Sequence, residues 1–184
     1  MAMPLAWHGM ARGKTVIRRT VLLLSGVLAC AFAVAATAGE VRLQSLVPYA
    51  EDNFVAANIK AECPIGRQLA DFVREFSARS GVNVVFDDAA SQATEGRVLM
   101  LEIIDAQSVG NAWTGHMKST SVLGVLYDNG ERIAAFRARR HSRGGFGAGF
   151  KGSCSVLGRT VRAIGSDIAS WLVSPVDGAR LGDL

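Results

Sequence analysis

The residues whose types and spacing suggest chemistry lie near the C-terminal end. Gly147, Gly149 and Gly152 form G-x-G-x-x-G ahead of a helical pattern. A dinucleotide site of that kind also needs a parallel strand after the helix, carrying an acid for the ribose. Here the chain ends instead, and Phe150 between Gly149 and Lys151 breaks the phosphate-loop pattern, so no cofactor is expected. His116 and His141 have no metal-ligand spacing to a cysteine. No G-x-S-x-G and no Cys/His nucleophile pair is present. Glu102, an isolated acid on a strand, lacks a second carboxylate or a nucleophile and reads as the partner of a basic strand. These patterns predict that the chain is not an enzyme.

Basic residues are the remaining candidates. Residues 132–162 carry eight Lys and Arg and no acid, whereas 39–131 carry 13 acids against seven bases. Backbone N–H groups at a helix start attract anions, and Arg139, Arg140, Arg143 and Lys151 lie around one here. The expectation is a site for an anion or a partner made by these four, with Trp113, in a Gly-containing loop, as an interface anchor. The other reading is a solvated basic strand, on which alternation lets only one of Arg139 and Arg140 face the core. For Trp113 it is a side chain folded over a sheet edge.

The whole chain has a formal charge of +4 and a pI near 9.3, but the N-terminus accounts for the excess. Arg12, Lys14, Arg18 and Arg19 precede the apolar run 21–38, which ends in Ala36-x-Ala38, the pattern of a cleaved signal peptide. Cleavage after Ala38 leaves 39–184 as a single α+β domain with its core over about 54–174. That part holds 16 basic and 16 acidic residues, so the basic pI is no argument for nucleic acid. An uncut membrane anchor is the other reading. Arg18-Arg19 has a twin-arginine look, and Val27-Leu28-Ala29-Cys30 resembles a lipobox, which would make Cys30 the anchor of an outer-membrane lipoprotein. The expected location is the periplasm.

Export decides the cysteine reading. Cys63 and Cys154 remain after cleavage, in a compartment that oxidises thiols. A disulfide between them closes a loop of about 90 residues, worth roughly 4–5 kcal/mol in the chain-entropy model; two buried free thiols are the alternative.

The elements that must position these residues follow from periodicity. The spacing predicts irregular structure over 39–53, then a strand over 54–62, where Val55, Ala57 and Ile59 alternate. A helix opens at Cys63-Pro64, with Ile65, Leu69, Phe72, Val73 and Phe76 on its apolar face, and stops at Gly81. Strands are expected over 82–86, 97–105, 119–127 and 131–140. A loop spans 107–118, and a tight turn sits at Asp128-Asn129-Gly130. The stretch 141–152 reads as a Gly-rich loop. Ser153 caps a second helix to Val173 with the stripe Leu157, Val161, Ile164, Ile168, Trp171 and Leu172. The order β-α-β-β-β-β-α predicts a mostly antiparallel sheet of about five strands with two helices on one face.

The segments 61–77, 98–106, 126–140 and 144–159 resemble those of poorly characterised exported envelope proteins of proteobacteria. The layout is more distantly similar to the small α+β domains of the curli-secretion lipoprotein and of the Tol system's periplasmic propeller protein. That resemblance implies a structural, protein-binding role: a non-enzymatic periplasmic or outer-membrane-associated accessory protein, whose partners are envelope proteins or a second copy. A binder of an anionic lipid or lipopolysaccharide phosphate at the basic strand and Gly-rich loop is the alternative.

Overall fold

The computed structural model describes residues 39–111, 115–143 and 153–184. Their elements, in order, are β1 (Val41–Leu43), β2 (Tyr49–Val55), α1 (Ala57–Glu62), α2 (Ile65–Arg79), β3 (Val84–Phe86), β4 (Arg97–Asn111), β5 (Gly115–Asp128), β6 (Glu131–Arg143), α3 (Ser153–Val173) and β7 (Ala179–Gly182). The α+β class is as expected, and so are the two long helices, α2 and α3, which pack against each other and against the sheet.

The sheet is built around the β4–β5–β6 meander, antiparallel throughout. At the β5–β6 turn Asn129 (φ 50°) and Gly130 (φ 84°) supply the left-handed backbone that a tight hairpin demands. Asn129 also exchanges hydrogen bonds with Gly96: its backbone N–H donates to the Gly96 carbonyl at 2.9 Å, and its Oδ1 accepts from the Gly96 N–H at 2.9 Å. The turn is thereby held against the start of β4.

Four details differ from expectation. The stretch 39–53 is not irregular: it forms β1 and most of β2, which lie side by side along one edge of β4. The segment 54–62 is not a strand. Its first two residues end β2, and Ala57–Glu62 form α1, in which Ile59 is the buried residue. Within the expected loop over 107–118, residues 107–111 and 115–118 are strand, because β4 and β5 go on pairing past Ala106 to Asn111 and Gly115. The sheet has seven strands, not about five, in the order β3-β1-β4-β5-β6-β7 with β2 also on β4. It is mixed, since β1, β2, β3 and β7 all pair in parallel. Trp113 and the stretch 144–152, with Lys151 and its glycines, lie outside the described residues.

The core lies between the sheet and the helices. Leu99, Leu101 and Ile103 of β4, Val122 and Leu126 of β5, and Ala134, Phe136 and Ala138 of β6 point to α2 and α3. They meet Leu69 and Val73 of α2 and Leu157, Val161, Ile164, Ile168 and Leu172 of α3. Two glycines permit the close approaches. A Cβ on Gly124 would stand 2.2 Å from the Phe136 ring, which packs edge-on to Trp171 at 4.7 Å. A Cβ on Gly165 would stand 2.7 Å from Phe72 where the two helices cross. The Cys63–Cys154 disulfide (Cα–Cα 5.0 Å) ties the starts of α2 and α3, as expected.

Candidate functional site

The basic strand is divided by its own alternation. Ala134, Phe136, Ala138 and Arg140 point to the helices; Ala135, Arg137 and Arg139 point away. Arg140 is therefore the residue on the core side. It donates to both carboxylate oxygens of Asp167 on α3, at 2.7 and 2.8 Å, and to Asp183 at 3.1 Å. These carboxylates hold its guanidinium firmly protonated; the hydrogen bond to Asp167 is the chief cause. Arg132 makes a two-pronged contact with Asp177, at 2.7 and 3.3 Å.

The same tail carboxylates close the edge of β6. Asp177 accepts the Ala135 N–H at 2.8 Å and Asp183 accepts the His141 N–H at 2.8 Å. Between them β7 pairs with Phe136 to Arg139. Those backbone hydrogen bonds, then the arginines beside them, pull both carboxyls below the ordinary aspartate range. All three acids of 163–184 are thus engaged with α3, β6 or the strap along β6, and Arg132 and Arg140 serve the fold.

At the far end of the covered side a polar layer replaces the apolar one. Thr120 and Thr160 share a hydrogen bond of 2.7 Å between β5 and α3. Lys118, buried on β5, donates to the Ser108 hydroxyl. Burial pushes its ammonium pKa down.

The face pointing away from the helices is different. Cross-strand register aligns its side chains in rows. Met100, Val125 and Ala135 form an apolar row. Glu102, Leu123 and Arg137 form the next, extended by Arg180 of β7. Asp105, Ser121 and Arg139 form the third, with Phe54 of β2 at one end and Gly182 of β7 at the other. Gln107, Ser119 and His141 follow. Glu102, Arg137, Arg180 and Leu123 are exposed, and Phe54 is 78% exposed, whereas Ser121 and Ser119 in the rows beyond are buried, so this side is open around the row of Glu102, Leu123 and Arg137.

Charge on this face is sorted by strand. The acids Glu102 and Asp105 stand on β4; the arginines Arg137 and Arg139 stand on β6, with Arg180 beyond. Strands sit about 4.8 Å apart, so acid and arginine in one row are roughly 10 Å apart. No ion pair forms among the described residues between β4 and β6 on this face. Asp105 Oδ1 and Arg139 Nε each lack a hydrogen-bond partner. A shallow groove of about 310 Å³ flanks the face beside the disulfide, lined by Phe54, Ile59, Glu62, Cys63 and Gln107.

The structure therefore separates the residues singled out in the sequence. Arg139 stands on the open face and Arg140 beneath it. Arg143 ends β6, and Lys151 and Trp113 are outside the described residues. Glu102 is exposed and, among the described residues, forms no ion pair with the basic strand. Glu102, Leu123 and Arg137 as a row were not foreseen, because a row requires the register between strands. Among the described residues no three His, Cys, Asp or Glu side chains gather as metal ligands, and no helix is long and apolar enough to cross a membrane.

No family model matches the chain, and no curated protein matches it. Solved structures do. A minor lipoprotein from Acinetobacter baumannii aligns at 13% identity over 72% of this chain and 89% of its own, with a TM-score of 0.45. A lipoprotein from Neisseria meningitidis aligns at 12% identity over 72% and 99%, with a TM-score of 0.44. A hypothetical protein from Chlamydia trachomatis aligns at 13% identity over 73% and 97%, with a TM-score of 0.48.

Proposed function

We propose that this chain is an exported, non-enzymatic protein of the bacterial cell envelope that works by holding protein partners against the open face of its sheet. The observation that carries this reading is the contrast across one sheet: the helices cover one side, while the other leaves Leu123 and Phe54 exposed among sorted charges. Isolated exposed apolar residues are ordinary on a soluble protein. An uncovered sheet side with an apolar row and two charge columns is suited to binding another protein.

The envelope assignment draws on the leader-like first 38 residues and on the Cys63–Cys154 disulfide, a bond that persists where thiols are oxidised. The likeness in layout to the curli-secretion and Tol-system domains points to the same kind of work. Binding of an anionic envelope ligand is less favoured. Arg140 and Arg132 are committed to tail carboxylates, and an anion lying across the open face would meet Glu102 and Asp105 along with the arginines.

A photoreactive side chain placed at Leu123 tests the proposal in intact cells. Irradiation should give discrete protein adducts from position 123 and none from Ala78, an exposed position on α2. No adduct from 123, or equal labelling from both, would overturn it.

A further inference from the structure

We infer that the occupant of the open sheet face is a second copy of this chain, docked face to face about a two-fold axis that runs along β5. This deepens the docking function proposed above and rests on it. The argument is one of symmetry. Rotation by 180° about an axis lying along β5 in the contact plane exchanges left and right but leaves position along the strand unchanged. β5 then lies over the partner's β5, β4 over its β6, and every row meets itself reversed.

The rows of this face are built to meet themselves reversed. Reversal of Glu102–Leu123–Arg137 sets each glutamate over an arginine and leucine over leucine on the axis. Reversal of Asp105–Ser121–Arg139 does the same one row further on, with the small Ser121 on the axis. The row Met100–Val125–Ala135 is apolar and complementary to itself. Phe54, the most exposed apolar side chain of this face, falls opposite Gly182, which offers no side chain. Two independent rows with the acid on β4 and the arginine on β6 select this axis. An axis across the strands would instead put acid over acid and arginine over arginine.

Size and geometry agree. About twelve residues per strand, at ~3.3 Å each, over three to five strands ~4.8 Å apart give roughly 600–900 Å² per copy. A stable interface needs about 800 Å² per partner. The arrangement is aligned sheet packing with an isologous interface, in which each contact occurs twice. The balance of charge also argues for a copy of itself: a uniformly acidic or basic surface would be repelled by one of the two columns.

Charge exchange tests the inference. Sedimentation equilibrium of the purified full chain should give twice the chain mass. Glu102→Arg and Arg137→Glu each place like charges over one another at two symmetric points and should weaken association by about tenfold or more. The double variant Glu102→Arg/Arg137→Glu restores the pairing with the signs reversed and should recover association to within about threefold. Both positions are exposed, and an unchanged thermal midpoint in each variant confirms that the fold is intact. Monomer at every concentration, or a double variant as weak as the singles, overturns the dimer. Adducts from position 123 that contain only another protein, or binding of the chain to anionic vesicles that Arg137→Glu abolishes, overturn it as well. In the first case the docking function survives without self-association; in the second that function falls too.

Discussion

The two sides of the sheet share the same three long strands, yet they follow different rules. On the covered side Leu126, Val122, Leu99 and Ile103 are essentially inaccessible. There alternate positions are filled by aliphatic residues and Phe136, by Gly124 where that ring comes close, by one arginine neutralised by two acids, and at the far end by Thr120 and Lys118. On the open side the alternate positions carry Glu102, Leu123, Arg137, Asp105, Ser121 and Arg139. Nothing in strand formation requires charges in columns there, since β-propensity asks only for a pleated, half-buried surface. The difference separates the residues that specify the fold from those that the proposed docking would use.

The comparison can be broken first at the covered side. The disulfide closes a 91-residue separation between the two helix starts. Its removal in Cys63→Ser/Cys154→Ser should cost about 4–5 kcal/mol in the chain-entropy model, read from the urea midpoint. A loss below about 1 kcal/mol would mean that the helices hold their places without it. The open side should keep its rows in whatever fraction stays folded.

The strap along β6 gives a smaller, pH-dependent effect. Asp177 and Asp183 have carboxyl pKa values depressed in the fold, chiefly by the N–H groups of Ala135 and His141. A depressed carboxyl stabilises the folded state above its unfolded pKa of about 3.9, and the contribution is lost as pH falls through the folded value. The melting temperature should therefore fall below about pH 4. In Asp177→Asn/Asp183→Asn it should start lower at neutral pH and fall less steeply in acid. Parallel curves for the two proteins would show that the strap adds no such linkage.

Much of this was legible in the chain itself. The two long helices announced themselves through apolar spacing and a terminal Gly81, and the β5–β6 turn through Asn129-Gly130; these signals are local. The disulfide was legible because cleavage of the leader-like segment, as read from the sequence, would leave only two cysteines. The strands β1 and β7 span three or four residues each and pair in parallel with distant partners, so no alternation could develop within them; β3, equally short, was legible within 82–86 from its β-branched residues. The stretch after Phe54 misled because Val55, Ala57 and Ile59 fit period two, whereas α1 spans six residues with Ile59 alone buried, too short to show a helical period of its own. The division of Arg139 from Arg140 followed from alternation alone. Their partners did not: Asp167 lies 27 residues from Arg140 and Asp183 lies 43 away, and only the assembled sheet brings β7 back beside β6. The charged rows needed the register of three strands, which composition cannot supply.

Paired substitutions on the two sides of β5 test the central claim most directly, with stability and docking measured on the same proteins. Leu126 on the covered side and Leu123 on the open side stand three residues apart. Leu126→Ala should lower unfolding free energy by about 2–5 kcal/mol and leave the envelope adducts of the folded chain unchanged. Leu123→Arg should change stability by less than about 0.5 kcal/mol and abolish the adducts formed on mild chemical crosslinking. Adducts that survive Leu123→Arg undiminished, or that vanish equally with both substitutions, would contradict a sheet with one side for folding and one for binding.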